Sequence, residues 1–202
     1  MHLDALHSVH PSLAYEALHA AVTYRYAHMK TIVFLLTSTP KAWPAETLPY
    51  SARGWPSFER MITMILKQQS SKAWATICDV GAFDPGGPQR TCLQPPKDAA
   101  GFEQMLQQLS FTNGSDKAMV LDLYRATLDT ALGQARSLRY TGLHWGDREM
   151  ADLVKVLPLA RNLVYLNLKG SHNQVELACA CLLLAAGCWL PAGGCPLPSA
   201  CR

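Results

Sequence analysis

The chain has 202 residues, of which 49% are hydrophobic and 16% are charged. A chain of this length and composition buries a sizeable core in one or two domains, which excludes disorder throughout. The formal net charge is only +3. The sequence has no long basic run, and its aromatic residues are not interleaved with Lys or Arg. We therefore do not expect nucleic-acid binding.

The cysteines and histidines bear on compartment and metal binding. The cysteine total is odd, and the opening MHLDALHSVH lacks the basic and apolar regions of a signal peptide. Both features predict a reducing, cytoplasmic environment. The C-terminal cysteines fit no pair of C-x2-C knuckles, and the histidines between His2 and His28 have no acidic or thiol neighbours that converge on them. We therefore predict no metal and no cofactor.

The first part of the chain predicts a helix, a strand and a loop. Pro11 is typical of a helix start, and a helical apolar period then continues toward Tyr26. Thr31–Thr37, TIVFLLT, is an apolar, β-branched run that predicts a buried strand. The loop that follows is rich in proline and carries Trp43, which we expect beside a ligand site at this end of the sheet.

The segment YSARGWPSFER, from Tyr50 to Arg60, follows this loop. Pro56 lacks an N–H and belongs in a first helical turn, so a helix is predicted to begin at or near Trp55. Glu59 is counted in that first turn, where the helix dipole favours a carboxylate by roughly 0.3 to 1 kcal/mol. Apolar residues at spacings of three and four then form one helical face: Phe58, Met61, Ile62, Ile65 and Leu66.

The elements downstream complete an α/β module. A second strand is predicted over Ala73–Val80, and a short amphipathic helix over Phe102–Leu109. A turn with the sequence FTNGSD then precedes a longer helix, which we expect to end at Gly133. We place the boundary of this module, residues 1–133, at that glycine.

The last part of the chain predicts a short leucine-rich repeat segment over residues 134–190, followed by a disordered tail over 191–202. Leu138 and Leu166 each begin an alternating strand that is followed by a polar turn and an apolar helix. The two helices are predicted over Glu149–Pro158 and Val175–Ala185. The strongly apolar stretch Leu177–Leu190 falls well short of the roughly 20 residues that a membrane span needs, so we expect no membrane span.

Family resemblances follow from these motifs. Tyr50, Arg53, Gly54, Trp55, Phe58 and Glu59, together with FTNGSD, resemble a largely uncharacterised group of algal proteins with an RGWP-FE or RGWC-FE motif followed by leucine-rich repeats. NLVYLNLKGSHN, residues 162–173, resembles the ribonuclease-inhibitor type of that repeat. These resemblances imply an architecture and no activity.

A strand, a tyrosine and Trp-x-x-x-Glu on a helix also look like part of TIR domains, which are flavodoxin-like signalling modules. Trp55 and Glu59 match that motif, whereas Pro56 stands where those domains usually have cysteine. The resemblance implies a partial flavodoxin/TIR-like parallel sheet with helices. It also implies that Glu59 is catalytic, as in members that hydrolyse NAD, with Trp43, Arg53 and Trp55 as candidates for the ligand pocket. The first strand and nucleotide-contacting loop of a TIR domain have no counterpart here.

Two functions from different classes remain open. The first is a non-enzymatic protein-interaction or signalling module of unknown partner, in which Tyr165, Asn167 and Lys169 contact a protein. The alternative is an NAD glycohydrolase, with NAD as substrate and Glu59 stabilising the positive charge that develops as nicotinamide leaves. No phosphate-binding glycine motif or G-x-S-x-G elbow occurs, so a nucleophilic hydrolase has no support.

Overall fold

A computed structural model describes residues 26–28, 30–38, 48–68, 76–81 and 93–170. Several predictions lie outside these residues: the helix after Pro11, the loop with Trp43, the helix over Val175–Ala185 and the tail over 191–202. No helix in the described ranges is both long and apolar enough to cross a membrane.

The first of two β-α-β units consists of Val33–Leu35 (β1), Gly54–Leu66 (α1) and Ile77–Asp79 (β2). β1 and β2 pair in parallel, with Phe34 opposite Cys78. Both strands fall inside the predicted ranges, although each is only three residues long. The prediction that β1 is buried holds for one face only, because Phe34 is 63% exposed. A turn of 3-10 helix, Tyr50–Ala52, leads into α1.

Two helices connect the units: Ala99–Gln107 (α2) and Asp116–Gln134 (α3). α2 begins earlier than predicted because the Asp98 carboxylate accepts a hydrogen bond from the Gly101 N–H (3.3 Å) and caps the helix. α3 continues one residue beyond Gly133, which is the predicted end. That glycine therefore lies inside the last turn and does not terminate the helix.

The second β-α-β unit consists of Ser137–Arg139 (β3), Asp147–Val156 (α4) and Tyr165–Asn167 (β4). β3 and β4 pair in parallel with Leu138 opposite Leu166. Both predicted strands are present, and the leucine-rich repeat stays a prediction. α4 starts two residues before its predicted start, and the Glu149 carboxylate accepts a hydrogen bond from the Gly146 N–H (3.0 Å). It ends at Val156 because the following proline lies in a separate 3-10 turn.

The buried apolar side chains form one cluster with members on both sides of Gly133. At its centre, Phe102 stacks on Tyr124 with ring centroids 3.9 Å apart, and Phe58 lies 6.4 Å from Phe102. These three rings join α2, α3 and α1. The structure is thus mixed α/β with two short parallel strand pairs, and the division of the chain at residue 133 stays a prediction.

Candidate functional site

The RGWP segment is packed against the segment that precedes the FTNGSD turn and against that turn itself. The Gly54 N–H donates to the Ser110 carbonyl (2.8 Å), and the Ser110 N–H donates to the Ala52 carbonyl (2.9 Å). A Cβ atom at Gly54 would lie 2.1 Å from the Phe111 ring. Glycine is required at position 54 because the ring occupies the space of a side chain. The two motifs therefore form one structural junction.

Trp55 and Arg53 belong to this junction. The Trp55 indole donates from Nε1 to the Asp116 carboxylate (2.9 Å), and its ring meets Phe58 edge to face at 5.8 Å. Arg53 precedes α1 and forms an isolated parallel bridge with Ser110. Neither Arg53 nor Trp55 lines the cavity that Glu59 borders. The structure therefore separates the predicted pocket residues, and Trp43 lies outside the described ranges.

The structure corrects the position of Glu59. α1 begins at Gly54, so Glu59 lies in the second turn, and the first turn holds no acidic residue. The stabilisation that a helix N-terminus gives to a carboxylate falls off within the first turn. The role as a helix-start carboxylate is therefore wrong. The predicted position of Glu59 was wrong because the helix begins before Trp55, with Arg53 as the residue that precedes it.

Glu59 is half-buried, and its carboxylate forms a hydrogen bond with the Tyr26 phenol. Burial removes water from the carboxylate and raises the pKa of Glu59, and the hydrogen bond from Tyr26 offsets only part of that effect. Among the described residues, no Lys, Arg or His forms an ion pair with Glu59. Its negative charge is therefore only partly compensated.

A cavity of about 170 Å³ lies beside this carboxylate. Glu59, Arg60 and Thr63 of α1 line it together with Val33–Leu36, Tyr26 and Tyr50. The Tyr50 hydroxyl donates to the Pro56 carbonyl (3.0 Å), and burial raises the pKa of Tyr50 to about 12. Small-molecule pockets usually measure about 300 to 1,000 Å³. The cavity is therefore smaller than usual and has room for a ring-sized group.

Tyr26 is held beside Glu59 by Lys67, a residue that sequence reasoning missed. Lys67 follows the last turn of α1 and is fully buried. Its ammonium donates to the backbone carbonyls of Tyr26 (3.1 Å) and His28. Burial lowers the pKa of Lys67 to about 8. A lysine directly after an apolar helical stretch was the available signal, but its distant partners could not be identified from the sequence.

A second candidate surface is the outward face of the β3–β4 sheet. The Arg139 guanidinium lies 5.4 Å from the centre of the Tyr165 ring. The Asn167 amide donates to the Tyr165 hydroxyl (3.0 Å) and accepts from the Lys169 N–H (3.0 Å). The structure thus brings the three predicted protein-binding residues together and adds Arg139. The available signal was in the sequence, where Arg139 follows Leu138 as Asn167 follows Leu166.

The described residues give little support for metal binding or for a nucleophilic cysteine. The described residues contain no group of three or more His, Cys, Asp or Glu side chains that could hold a metal ion. Cys78 lies in β2, and burial raises the pKa of its thiol. A raised pKa lowers the thiolate fraction that a nucleophilic cysteine needs.

Comparisons with protein-family models, with curated proteins and with solved structures find no match to this chain. The resemblances to algal RGWP-FE proteins, to TIR domains and to leucine-rich repeats therefore stay predictions. Both candidate sites are interpreted from their own geometry.

Proposed function

We propose that this chain is a non-enzymatic protein-binding module and that its contact surface is the outward face of the β3–β4 sheet, formed by Arg139, Tyr165, Asn167 and Lys169. The observation that carries the proposal is the alternation of the two strands. Leu138 and Leu166 are buried, whereas Arg139 is exposed and Tyr165 and Asn167 are partly exposed. The sheet therefore offers polar and aromatic groups on one side while its other side is fixed in the core.

The Tyr165 side chain is held in place before any partner binds. Tyr165 is held by the Arg139 guanidinium over its ring and by the Asn167 amide at its hydroxyl. Binding then orders fewer rotamers, which lowers the entropic cost of association. Tyrosine and arginine are also the residue types that contribute most often to binding energy at protein interfaces. The arrangement supports a contact centred on Tyr165.

The charge of the surface indicates the chemistry of the partner. Arg139 and Lys169 are exposed cations, and no carboxylate in the described ranges forms an ion pair with either one. An acidic segment of another protein complements this charge and gains rate and specificity from it. We place this interaction in the cytoplasm, on the cysteine usage of the chain.

A capture experiment with matched variants tests the proposal. Tagged wild-type protein, Arg139→Glu/Lys169→Glu and the control Lys117→Glu/Arg148→Glu are incubated with nuclease-treated lysate. Both variants change the net charge equally, but Lys117 and Arg148 lie on α3 and α4. We expect the surface variant to capture at least about tenfold less partner protein than wild type, and the control variant to capture the same amount as wild type. Polyglutamate should compete and polylysine should not.

Three results would contradict the proposal. They are equal capture by both variants, capture that depends on nucleic acid and disappears after nuclease treatment, and no specific capture by the wild-type protein. Circular dichroism of both variants shows that a loss of capture is not a loss of folding.

NAD hydrolysis is a second candidate because Glu59 borders a cavity and is incompletely compensated. In this reaction the carboxylate would stabilise positive charge on the ribose as nicotinamide leaves. Its test is nicotinamide release from NAD by purified protein, compared with Glu59→Ala. Release by the wild type that the variant abolishes would support the enzyme, and no release would remove it.

A further inference from the structure

The cavity beside Glu59 has a chemical character that neither proposed function uses. A carboxylate has about four lone-pair sites, and in the described ranges the side chain of Glu59 accepts one hydrogen bond, from Tyr26. Because Glu59 is half-buried, water solvates its negative charge only in part. A partly desolvated carboxylate is stabilised most by a cation at hydrogen-bonding distance.

The remaining lining favours a cation with a short apolar body. Val33 and Leu35 are buried and contribute apolar surface. Tyr26 and Tyr50 contribute phenol oxygens whose protons are already donated, to Glu59 and to the Pro56 carbonyl. These oxygens therefore have lone pairs left to accept hydrogen bonds. An ammonium group has three donors and no acceptor, which matches these sites.

The edge of β1 that faces away from β2 adds a backbone acceptor. Val33 donates to the Thr76 carbonyl and Leu35 accepts from the Val80 N–H, so both residues point their backbone groups toward β2. In a parallel ladder the intervening residue directs its N–H and carbonyl to the opposite side. The Phe34 carbonyl thus lies along the edge of β1 that faces away from β2, and Phe34 is also a lining residue.

Volume sets the size of the ligand. An apolar cavity of about 150 Å³ is known to hold benzene, which has six heavy atoms. The cavity of about 170 Å³ therefore takes a compact molecule of similar size.

We propose that this cavity is a binding site for a compact primary alkylammonium ion, whose ammonium group contacts the Glu59 carboxylate and whose alkyl chain contacts Val33 and Leu35. The site depends on the cavity alone and on neither the protein-binding function nor NAD hydrolysis. Arg60 also lines the cavity, and its positive charge limits affinity. A ligand of this size is expected to bind in the millimolar range.

A probe series of constant length and changing charge tests the proposal. n-Butylammonium, n-butanol and butyrate are titrated at about pH 8 into protein with ¹³C-labelled tyrosine rings, and the tyrosine resonances are followed by NMR. We expect saturable shifts for Tyr26 and Tyr50 with butylammonium, and none for Tyr165. Affinity for butylammonium should exceed that for butanol by about tenfold or more, and butyrate should not bind.

Variants locate the charge that is responsible. Glu59→Gln keeps the size of the side chain and should lower butylammonium affinity to that of butanol. Glu103→Gln, on the exposed face of α2, should leave it unchanged, and Arg60→Met should raise it by removing the competing cation. The proposal is overturned if no probe binds, if the three probes bind equally or if Glu59→Gln binds butylammonium like wild type. The probe series on wild-type protein decides the matter even where a variant does not fold.

Discussion

The two β-α-β units have the same local topology, but the central residue of the first strand is exposed in one unit and buried in the other. The central residue of β1, Phe34, is 63% exposed, whereas the central residue of β3, Leu138, is completely buried. In the first unit a half-buried carboxylate borders a cavity between strand and helix. In the second unit the interior is apolar and the polar groups lie on the outer side of the sheet. One topology thus places a half-buried carboxylate beside a cavity in one unit and polar side chains on the outer face of the sheet in the other.

The largest expected effect tests this difference at the two central strand residues. Leu138→Ala removes a completely buried side chain and should lower the free energy of unfolding by about 2 to 5 kcal/mol. Phe34→Ala, on the exposed side of β1, should change it by less than about 1 kcal/mol. Urea denaturation of both variants measures the two values. Equal losses would contradict the assignment of opposite burial to the two strands.

The sequence predicted the strands and helices well because each has a local signal. The β-branched run before Ser38, Pro56 in a first turn and the apolar period of α1 are all contained in a few consecutive residues. The alternation around Leu138 and Leu166 also placed two strands that pair in the structure. Boundaries shifted where a cap decided them, as Asp98 does for α2.

The site was predicted less well because its contacts connect distant parts of the chain. Trp55 was assigned to a ligand pocket, but its indole is bound by Asp116 on another helix. Tyr26 reaches Glu59 from the segment before β1, which Lys67 holds through the Tyr26 carbonyl. No local pattern encodes such pairs. Glu59 itself was found, although in the wrong turn of the helix.

The next effect concerns the junction that fixes the first unit. Gly54→Ala places a methyl group where the Phe111 ring lies and should destabilise the protein by about 1 to 3 kcal/mol. Gly114→Ala is the matched control because a Cβ there has no neighbour within 4 Å. Thermal denaturation compares the two variants. Equal stabilities of Gly54→Ala and Gly114→Ala would refute the junction. Adding Phe111→Ala to Gly54→Ala should restore part of the lost stability.

A smaller effect tests the structural role of Trp55. Trp55→Phe keeps an aromatic ring against Phe58 but removes the hydrogen bond to Asp116 (2.9 Å). We expect a loss of about 1 to 2 kcal/mol in the free energy of unfolding, and little further loss when Asp116→Asn is added. A double-mutant cycle measures the coupling. Strictly additive losses would argue that the indole and the carboxylate do not interact.

The smallest expected effect is the pH dependence of stability that Glu59 contributes, and its sign is what matters. Because the pKa of Glu59 is raised in the folded protein, the unfolded chain loses this proton first as pH rises. Stability therefore falls as pH increases from the ordinary carboxyl pKa through the folded value, and the full cost is present above the folded value. Glu59→Gln removes that cost and keeps an acceptor for the Tyr26 phenol.

The most direct measurement is the free energy of unfolding of Glu59→Gln and wild type at about pH 7 and at about pH 4. We expect the variant to be more stable at the higher pH by roughly 0.5 to 1 kcal/mol, and this difference to shrink at the lower pH. Such a difference shows that folding does not require the charge of Glu59. A variant less stable than wild type at about pH 7 would show instead that Glu59 serves the fold, which contradicts the ligand site.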